Sequence, residues 1–472
     1  MKSIAIIGGG ISGLTAAFTL EKRRQAGAPL DYTVFESSGR CGGVVLTEEV
    51  DGCLVEGGPD SFLTEKPWAA ELCRELELGD QLIGSNDAQR KTYILVNSRL
   101  VTMPDGLIFM VPTKMSPAFF SPLFSLGTKA RMLREWFSSP RRGSDDESVG
   151  SLVSRHYGEE MVNRLADPLL SGVYGGEASQ LSVCAVLPRF AEMEEKYGSL
   201  ARAMLKARKN SRTGSQPLFT SLKRGMQQMV EAVVAALPDS CLRLRNEART
   251  IRRENNGFVI ESAAGTNGFD AVIASTSAQT AAALLQGLSS ELAAELRAIP
   301  YSSSVTVTLG YDNKVRAALP AGFGFLVPRS EGKRMMAATF VHNKFSGRAA
   351  GDRALIRCFL GGTRDEGVVQ LGDEEIARIV REELRQILRI TAEPRFVRCY
   401  KWKEAMAQYN VGHLDRLRRI EGLQRQLPGV ELAGNGFRGI GLPDCVRSGQ
   451  EAAAKVLMAV GLAQERQAVP SR

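Results

Sequence analysis

The stretch SIAIIGGGISGLTAAFTLEKRRQAGAPLDYTVFE, Ser3 to Glu36, decides the fold. Its opening apolar run ends in glycine, as a parallel strand buried on both faces does. Gly8-Gly9-Gly10-Ile11-Ser12-Gly13 follows, then a helical pattern from Leu14 to about Arg24, then a second apolar run that ends on Glu36. Strand, glycine turn, helix, strand and acid in this register predict a dinucleotide-binding unit. Gly8 permits the tight turn, Gly10 lets backbone approach a pyrophosphate, and Gly13 lets helix pack on strand. With Gly9, Ile11 and Ser12, these residues form a loop at a helix N-terminus, whose free N–H groups and dipole suit phosphates. Glu36 is placed to accept from ribose hydroxyls, and its charge argues against an NADP 2′-phosphate.

At 472 residues the chain is too long for one ordinary core, so two or three domains are expected. A hydrophobic content of 44% beside 24% charged residues describes a soluble globular protein and excludes a disordered or fibrous one. No apolar run reaches the roughly 18 residues of a spanning helix, and the N-terminus enters a strand with no signal-like segment, so the reducing cytoplasm is the expected location. Eight scattered cysteines without a CxxC pair, and only three histidines, predict neither a metal site nor a disulfide framework. They leave little for a Ser-His-Asp mechanism. The formal charge of +8 suits an acidic partner, either a ligand or an anionic membrane surface. No stripe of bases with interleaved aromatics accompanies it, so nucleic acid is not an expected partner.

Just past the acid, ESSGRCGGVV places Arg40, Gly42, Gly43 and Val44, and VEGGPDSF then supplies Gly58, Pro59, Asp60 and Ser61. This Arg-x-Gly-Gly pattern resembles the superfamily of flavin-containing amine oxidases and porphyrinogen oxidases. The resemblance implies FAD, with these residues flanking it. Far downstream, GVELAGNGFRGIGLPDCVRSGQEAAAKVL repeats the glycine spacing at Gly434, Gly436 and Gly439. It is not a second nucleotide site, because the helix that follows runs almost to the C-terminus and no second strand with an acid remains. The segment reads instead as a strand, a glycine loop and a helix facing the flavin, with Asp444 as the expected N-cap. The resemblance puts Gly434, Ile440, Gly441 and Leu442 on the cofactor, and Asn435 stands where the family usually has an acid. Without an NAD(P)H site, molecular oxygen is the default electron acceptor.

Three further stretches narrow the family. LADPLLSGVYGGEASQLSVCAVLPRFAEMEEKYGSL (Leu165 to Leu200), KWKEAMAQYNVGH (Lys401 to His413) and GPDSFLTEKP (Gly58 to Pro67) resemble bacterial protoporphyrinogen and coproporphyrinogen III oxidases. Ala407 replaces a usual proline. The resemblance implies six-electron oxidation of a porphyrinogen, with Leu169, Gly172 and Val173 against the macrocycle and Phe340 stacking on its other side. Trp402 lies beside the flavin, and Ala248 contacts its adenine. Lys66, Arg90 and Lys91 are the candidate cations for the carboxylate arms. Each of these three reads equally as a solvated surface charge, and Phe340 as a core aromatic.

The fold expected is α/β (α+β), with a Rossmann-like FAD domain (1–88, 214–285 and 396–472) interleaved with two others. One is a sheet-based substrate domain (89–108 and 286–395), where SSSVTVTLGYD and RALIRCFLGG alternate at strand period. The other is a helical domain (109–213). In it FMVPTKMSPAFFSPLFSLGTKARMLREWFSSPRR mixes aromatics with Lys129, Arg131, Arg134, Arg141 and Arg142. That stretch reads either as a membrane-contacting surface or as a channel wall with a basic end. SSPRRGSDDES reads as a loop. The leading expectation is a cytoplasmic, oxygen-dependent porphyrinogen oxidase, with attachment to the inner face of the membrane and an iron-inserting chelatase partner left as open alternatives. The alternatives are an amine oxidase of the same fold, or a flavin or porphyrin carrier without turnover.

Overall fold

The computed structural model describes residues 1–141, 145–210 and 216–462. Residues 142–144 of the Ser138–Ser148 loop, the expected boundary at 213/214 and the last ten residues lie outside the described residues.

Lys2–Ile7 sits at the centre of a five-stranded parallel sheet. Leu30–Phe35 and then Leu242–Arg243 lie on one side, Ala271–Ala274 and Val430–Leu432 on the other. Ile4 and Ile6 face one core and Ala5 and Ile7 a second, all at most 4% exposed, so both faces are covered as a parallel sheet requires. On the first face the helix Ile11–Gln25 packs on the C-terminal helix Leu442–Ala459. Their approach is close enough that Ser12 Oγ donates to Cys445 O at 2.9 Å. A Cβ on Gly449 would stand 2.2 Å from Ser12 O. The opposite face carries the helices Ala278–Leu285 and Ser290–Arg297 and a three-stranded antiparallel sheet spanning Ala248–Phe269.

The second sheet has seven strands, in the order Phe396–Ala407, Tyr301–Tyr311, Ala354–Gly361, Met335–Phe340, Gly324–Leu326, Thr92–Val96, Arg99–Thr102. Its two faces follow from the alternation in SVTVTL. Val305, Val307 and Leu309 join Ile356, Cys358 and Leu360 beneath the helix Asp373–Leu388, which contributes Ile376, Val380 and Leu384. Thr306 and Thr308 point the other way, opposite Phe359 and Arg357 in register. Tyr400 and Trp402 share that second face and look toward the glycine turn at Gly57. Two expected boundaries change as a result. Residues 396–407 are an edge strand of the seven-stranded sheet, since their backbone groups pair with Tyr301–Gly310. Residues 290–297 pack with the dinucleotide part, because Leu292, Ala293 and Leu296 fill its core.

The helices between Met115 and Asn210 form a third unit held by a buried charge cluster. His156 Nε2 lies 2.9 Å from Glu194 Oε1, and its Nδ1 is 3.3 Å from Glu135 Oε1. Glu135 also accepts from Ser199 Oγ, and Arg155 binds Glu194. Burial alone would push the imidazole pKa down, but the two carboxylates outweigh it and hold it above its usual 6.5. Burial likewise opposes ionisation of Glu194, yet His156 and Arg155 pull it down to about 2.

Two measurements check this packing. Gly449→Ala is expected to lower the unfolding free energy by about 1–3 kcal/mol in denaturant titration, because the added methyl overpacks the helix contact. The raised imidazole pKa stabilises the fold fully below pH 6.5 and fades as pH climbs through the folded value. The depressed Glu194 pKa stabilises above the ordinary 4.5 and is lost as pH falls toward about 2. Wild type should therefore exceed His156→Gln most between about pH 5 and 6.5, with the gap closing on the alkaline side in a melting series.

Candidate active site

The glycine loop after the first strand is shaped by contacts that exclude side chains. A Cβ on Gly13 would lie 2.0 Å from Gly8 O and 2.4 Å from Ser275 Oγ, and one on Gly8 2.7 Å from Ser275 O. A Cβ on Gly10 would meet nothing within 4 Å, so the loop's outer face is open backbone. Gly10 is the N-cap of the first helix and no side chain caps it, which leaves the first-turn N–H groups of Ile11, Ser12 and Gly13 for a ligand. Gly9 N donates to Glu36 Oε2 at 2.7 Å, and Ser38 N to Glu36 Oε1 at 2.8 Å. These two bonds anchor the acid at the end of its strand. Arg245 N and Asn246 N bond to Ser38 O and Glu36 O, which brings Ala248 to the same edge.

The second turn closes on the first. Gly42 forms an isolated bridge with Gly10, and Gly42 N donates to Gly9 O at 2.8 Å. Arg40 folds beneath its own turn, donating to Cys41 O, Gly43 O and Val45 O. Its first effect is thus to hold Gly42 and Gly43 against Gly10. Val44 is exposed, and its carbonyl lies against Gly58, where a Cβ would come within 1.7 Å. A pyrophosphate fits this cradle, which combines uncapped N–H donors, facing glycines and an acid at the end of the neighbouring strand.

Gly57 to Ser61 run between this cradle and the seven-stranded sheet. Trp402 Nε1 donates to Gly57 O at 2.8 Å, and Arg357 donates to Gly58 O. Asp60 accepts from Lys344 Nζ at 2.9 Å and, with Ser61 Oγ, gives that lysine three partners. Burial would raise the Asp60 pKa, but Lys344 and Arg357 hold it well below the usual carboxylate range.

The third wall is the loop Gly434–Gly441 and the helix after it. Gly434 has φ +123°, open to glycine alone at low cost. Tyr409 braces the loop, its hydroxyl donating to Asn435 O at 2.6 Å and accepting from Gly439 N at 2.9 Å. Its ring stacks on His413 at 4.1 Å, and His413 Nε2 donates to Phe437 O. Asn435 Nδ2 reaches Ala405 O. Ile440 is half-buried and packs against the helical unit, while Leu442 lies in the dinucleotide core.

Two sequence expectations change here. The N-cap of the C-terminal helix is Gly441, and Asp444 falls inside the first turn, 2.6 Å from Lys66 Nζ. Lys66, expected on a substrate carboxylate, therefore already has an anionic partner in this chain. Phe340 shows a larger difference. It is 0% exposed, 6.2 Å from Phe325, on the face beneath Asp373–Leu388. Its neighbour Thr339 occupies the site-facing register with Arg357 and Gly324. A one-residue change of register in a strand reverses the face, so sequence spacing could not decide between them.

The helix Asp167–Tyr174 follows a π-helical turn over Val162–Ala166 and ends at Gly175 in the left-handed region. A Cβ on Gly176 would stand 2.2 Å from Gln408 Oε1, so a side chain there displaces the Gln408 amide, whose Nε2 ties Tyr174 O to Ser302 Oγ. Leu169 is half-buried, while Gly172 and Val173 are exposed, with Leu326 Cδ2 3.7 Å from where a Gly172 Cβ would be. Arg90 and Lys91 are exposed at the start of the strand Thr92–Val96, apart from the glycine turns. Gln408, Tyr409, Lys344, Arg348 and Arg357 escaped the sequence reading as site residues. Only the first two carried a signal, as part of the quoted Lys401–His413 stretch.

A family model of flavin containing amine oxidoreductases matches residues 11–457. The chain belongs to that family. It is an oxidoreductase and its cofactor is a flavin. The coproporphyrinogen III oxidase of Bacillus subtilis (strain 168) is 34% identical over 466 residues, covering 97% of this chain and 98% of that protein. The chloroplastic protoporphyrinogen oxidase 1 of Arabidopsis thaliana is 28% identical over 481 residues, covering 96% and 87%. A crystal structure from Exiguobacterium sp. 255-15, of a protein provisionally called a protoporphyrinogen oxidase, superposes with a TM-score of 0.88 at 30% identity, covering 97% of this chain and 99% of that one. Cyclohexylamine oxidase from Brevibacterium oxydans IH-35A reaches a TM-score of 0.71 at 16% identity, over 98% and 99%, and shows the fold alone.

Gly10→Val should yield folded protein with little bound flavin, because its side chain grows into the open outer face of the loop and not into the packed contact at Gly13. The readout is the flavin-to-protein absorbance ratio after reconstitution. Tyr409→Phe removes both bonds that brace the C-terminal loop. At about 0.5–1.5 kcal/mol each, flavin affinity should fall roughly 5- to 100-fold in equilibrium titration.

Proposed function

We propose that the chain is an FAD-dependent oxidase that converts coproporphyrinogen III to the porphyrin, with molecular oxygen as the electron acceptor. The observation that carries this reading is the bare end of the helix Asp167–Tyr174. Gly172 and Val173 leave a flat apolar face beside Leu326 and the flavin-side loops, in a chain that aligns end to end with a coproporphyrinogen III oxidase. A porphyrinogen is a flexible apolar macrocycle with carboxylate arms, and such a face suits it better than a small amine. Bound FAD supplies a two-electron acceptor, so porphyrin formation takes three turnovers and three molecules of oxygen.

The chain's own residues position rather than protonate. Leu169, Gly172, Val173 and Leu326 hold the macrocycle, and the Gln408 amide fixes the helix end that presents them. Arg90 and Lys91 are the cations we assign to carboxylate arms, with Lys66 reaching one only by releasing Asp444. Coproporphyrinogen III carries two more such arms than protoporphyrinogen IX, which favours the more cationic rim. The FAD part comprises the five-stranded sheet with its helices, and the substrate part the seven-stranded sheet.

The helical unit supports a second assignment, contact with an anionic membrane surface. Phe119, Phe120, Leu126, Leu133, Trp136 and Phe137 are exposed, Phe120 and Phe137 by more than 80%. Arg131 and Arg134 are exposed beside them, and Lys129 Nζ lies 5.8 Å from the Phe119 ring centre. Aromatics and cations on one surface are what a peripheral protein presents to acidic lipid. No helix among the described residues is long and apolar enough to cross a membrane. An iron-inserting chelatase is the reaction class that would consume the product.

Anaerobic stopped-flow mixing tests the function. Coproporphyrinogen III should bleach the flavin at least tenfold faster than protoporphyrinogen IX, and porphyrin fluorescence should appear when oxygen is admitted. Bleaching by neither would overturn the reading. Gly172→Leu should raise the KM for the porphyrinogen about tenfold or more while flavin content stays at the wild-type level, since the side chain grows into the bare face and not into the cradle.

A further inference from the structure

Where the glycine turn meets the seven-stranded sheet, five charged side chains are buried together. The acids are Glu56 and Asp60, and the bases are Lys344, Arg348 and Arg357, all at most 16% exposed in their side chains. The bases outnumber the acids. Burial pushes the Glu56 carboxyl up to about 7, so near neutral pH the excess of positive charge is larger still.

The cations differ in how well they are satisfied. Lys344 has Asp60 Oδ1, Asp60 Oδ2 and Ser61 Oγ within 3.1 Å. Arg348 donates to Ser221 Oγ, Leu222 O and Lys223 O, and its Nη2 is 3.9 Å from Glu56. Arg357 is 4% exposed, and only its Nη2 has a hydrogen bond, to Gly58 O. Its Nη1 is 3.8 Å from Asp60 Oδ2, and its Nε has no partner. The residue opposite it in register, Thr308, is 1% exposed and its Oγ1 also has none. Leaving a buried guanidinium N–H unpaired is costly, so Arg357 is the least satisfied of the three cations. Both atoms lie on the sheet face that carries Trp402, whose Nε1 holds Gly57. The least hydrogen-bonded of the three cations thus sits under the turn expected to carry the flavin, donating to Gly58 O.

We propose that Arg357 is a cofactor-tuning residue, holding its buried positive charge against the Gly57–Gly58 turn expected to carry the flavin. A buried cation there favours the more negative, reduced cofactor and so raises the potential at which it accepts electrons. The proposal rests on the FAD reading above. Thr306, next on the same strand face, is neutral, and Phe359 packs 4.9 Å from the Arg357 guanidinium, so the guanidinium is the charge that decides.

The test is the midpoint potential of the bound flavin, by spectroelectrochemical titration of the holoprotein without porphyrinogen. Arg357→Met should lower the equilibrium constant for two-electron reduction about 10- to 100-fold, or roughly 30–60 mV. Arg357→Lys, which keeps the charge, should stay within threefold of wild type. If the methionine variant does not fold, Arg357→Gln takes its place with the same expected direction. An unchanged potential in a neutral variant that still binds flavin overturns the proposal. So does a lysine variant that falls as far as the neutral one. An unchanged potential with a tenfold higher KM would reassign Arg357 to a substrate carboxylate. Because the titration needs no porphyrinogen, a wild type inert to both porphyrinogens would sink the proposed function while leaving this result standing. A wild type that takes up no flavin would overturn the FAD reading itself.

Discussion

The architecture depends on one contact that has no room for a side chain. Gly13 lies against Gly8 O and Ser275 Oγ so closely that any Cβ would overlap them. That approach sets the first helix on the central strands, aims its uncapped N-terminus along the sheet edge, and leaves Gly10 facing Gly42 and Gly43. The C-terminal helix then seats on the first through a second such contact, Gly449 against Ser12. Two chain segments more than four hundred residues apart are thereby locked at the same end of the sheet. The loop Gly434–Gly441 consequently closes the cradle that the first turn opens.

The seam between the two large sheets has a different character. It is held by hydrogen bonds from the seven-stranded sheet to backbone carbonyls of the Gly57–Gly58 turn, through Trp402 and Arg357, and by the Lys344–Asp60 pair. Buried ion pairs of this kind offset little more than their own desolvation, so their value lies in geometry more than in stability. They set the distance between the flavin-side turn and the face carrying Thr306, Thr308 and Phe359. Gln408 and Tyr409 do the same for the helical unit and the C-terminal loop, each joining segments that no single sheet connects. The candidate site is a junction of three units, and the side chains that brace it are polar because they must span that junction.

Much of this was legible in the residues. Ser3–Glu36 specified a strand, turn, helix and acid because hydrophobic period and glycine spacing are local properties, and the parallel sheet formed as they require. The alternation in SVTVTL marked a strand with unlike faces, and the stretch around SGVYGG carried the family resemblance. The errors share a cause. Asp444 looked like a cap because Asp favours caps, yet the helix began three residues earlier, at Leu442, with Gly441 as its cap. Lys66 looked free because its partner lies 378 residues away. Phe340 was set against the macrocycle by the family resemblance, with a core aromatic as the other reading, and strand register turned it under the helix Asp373–Leu388.

Sequence alone therefore determined the dinucleotide unit, the family resemblance and the segments that bear the chemistry, since each rests on short-range spacing. Tertiary structure alone decided which face of a strand meets the candidate site, which charges are already paired, and which buried cation has the fewest partners. Those outcomes depend on contacts between residues distant in the chain, and a one-residue register step or a single distant carboxylate reverses them.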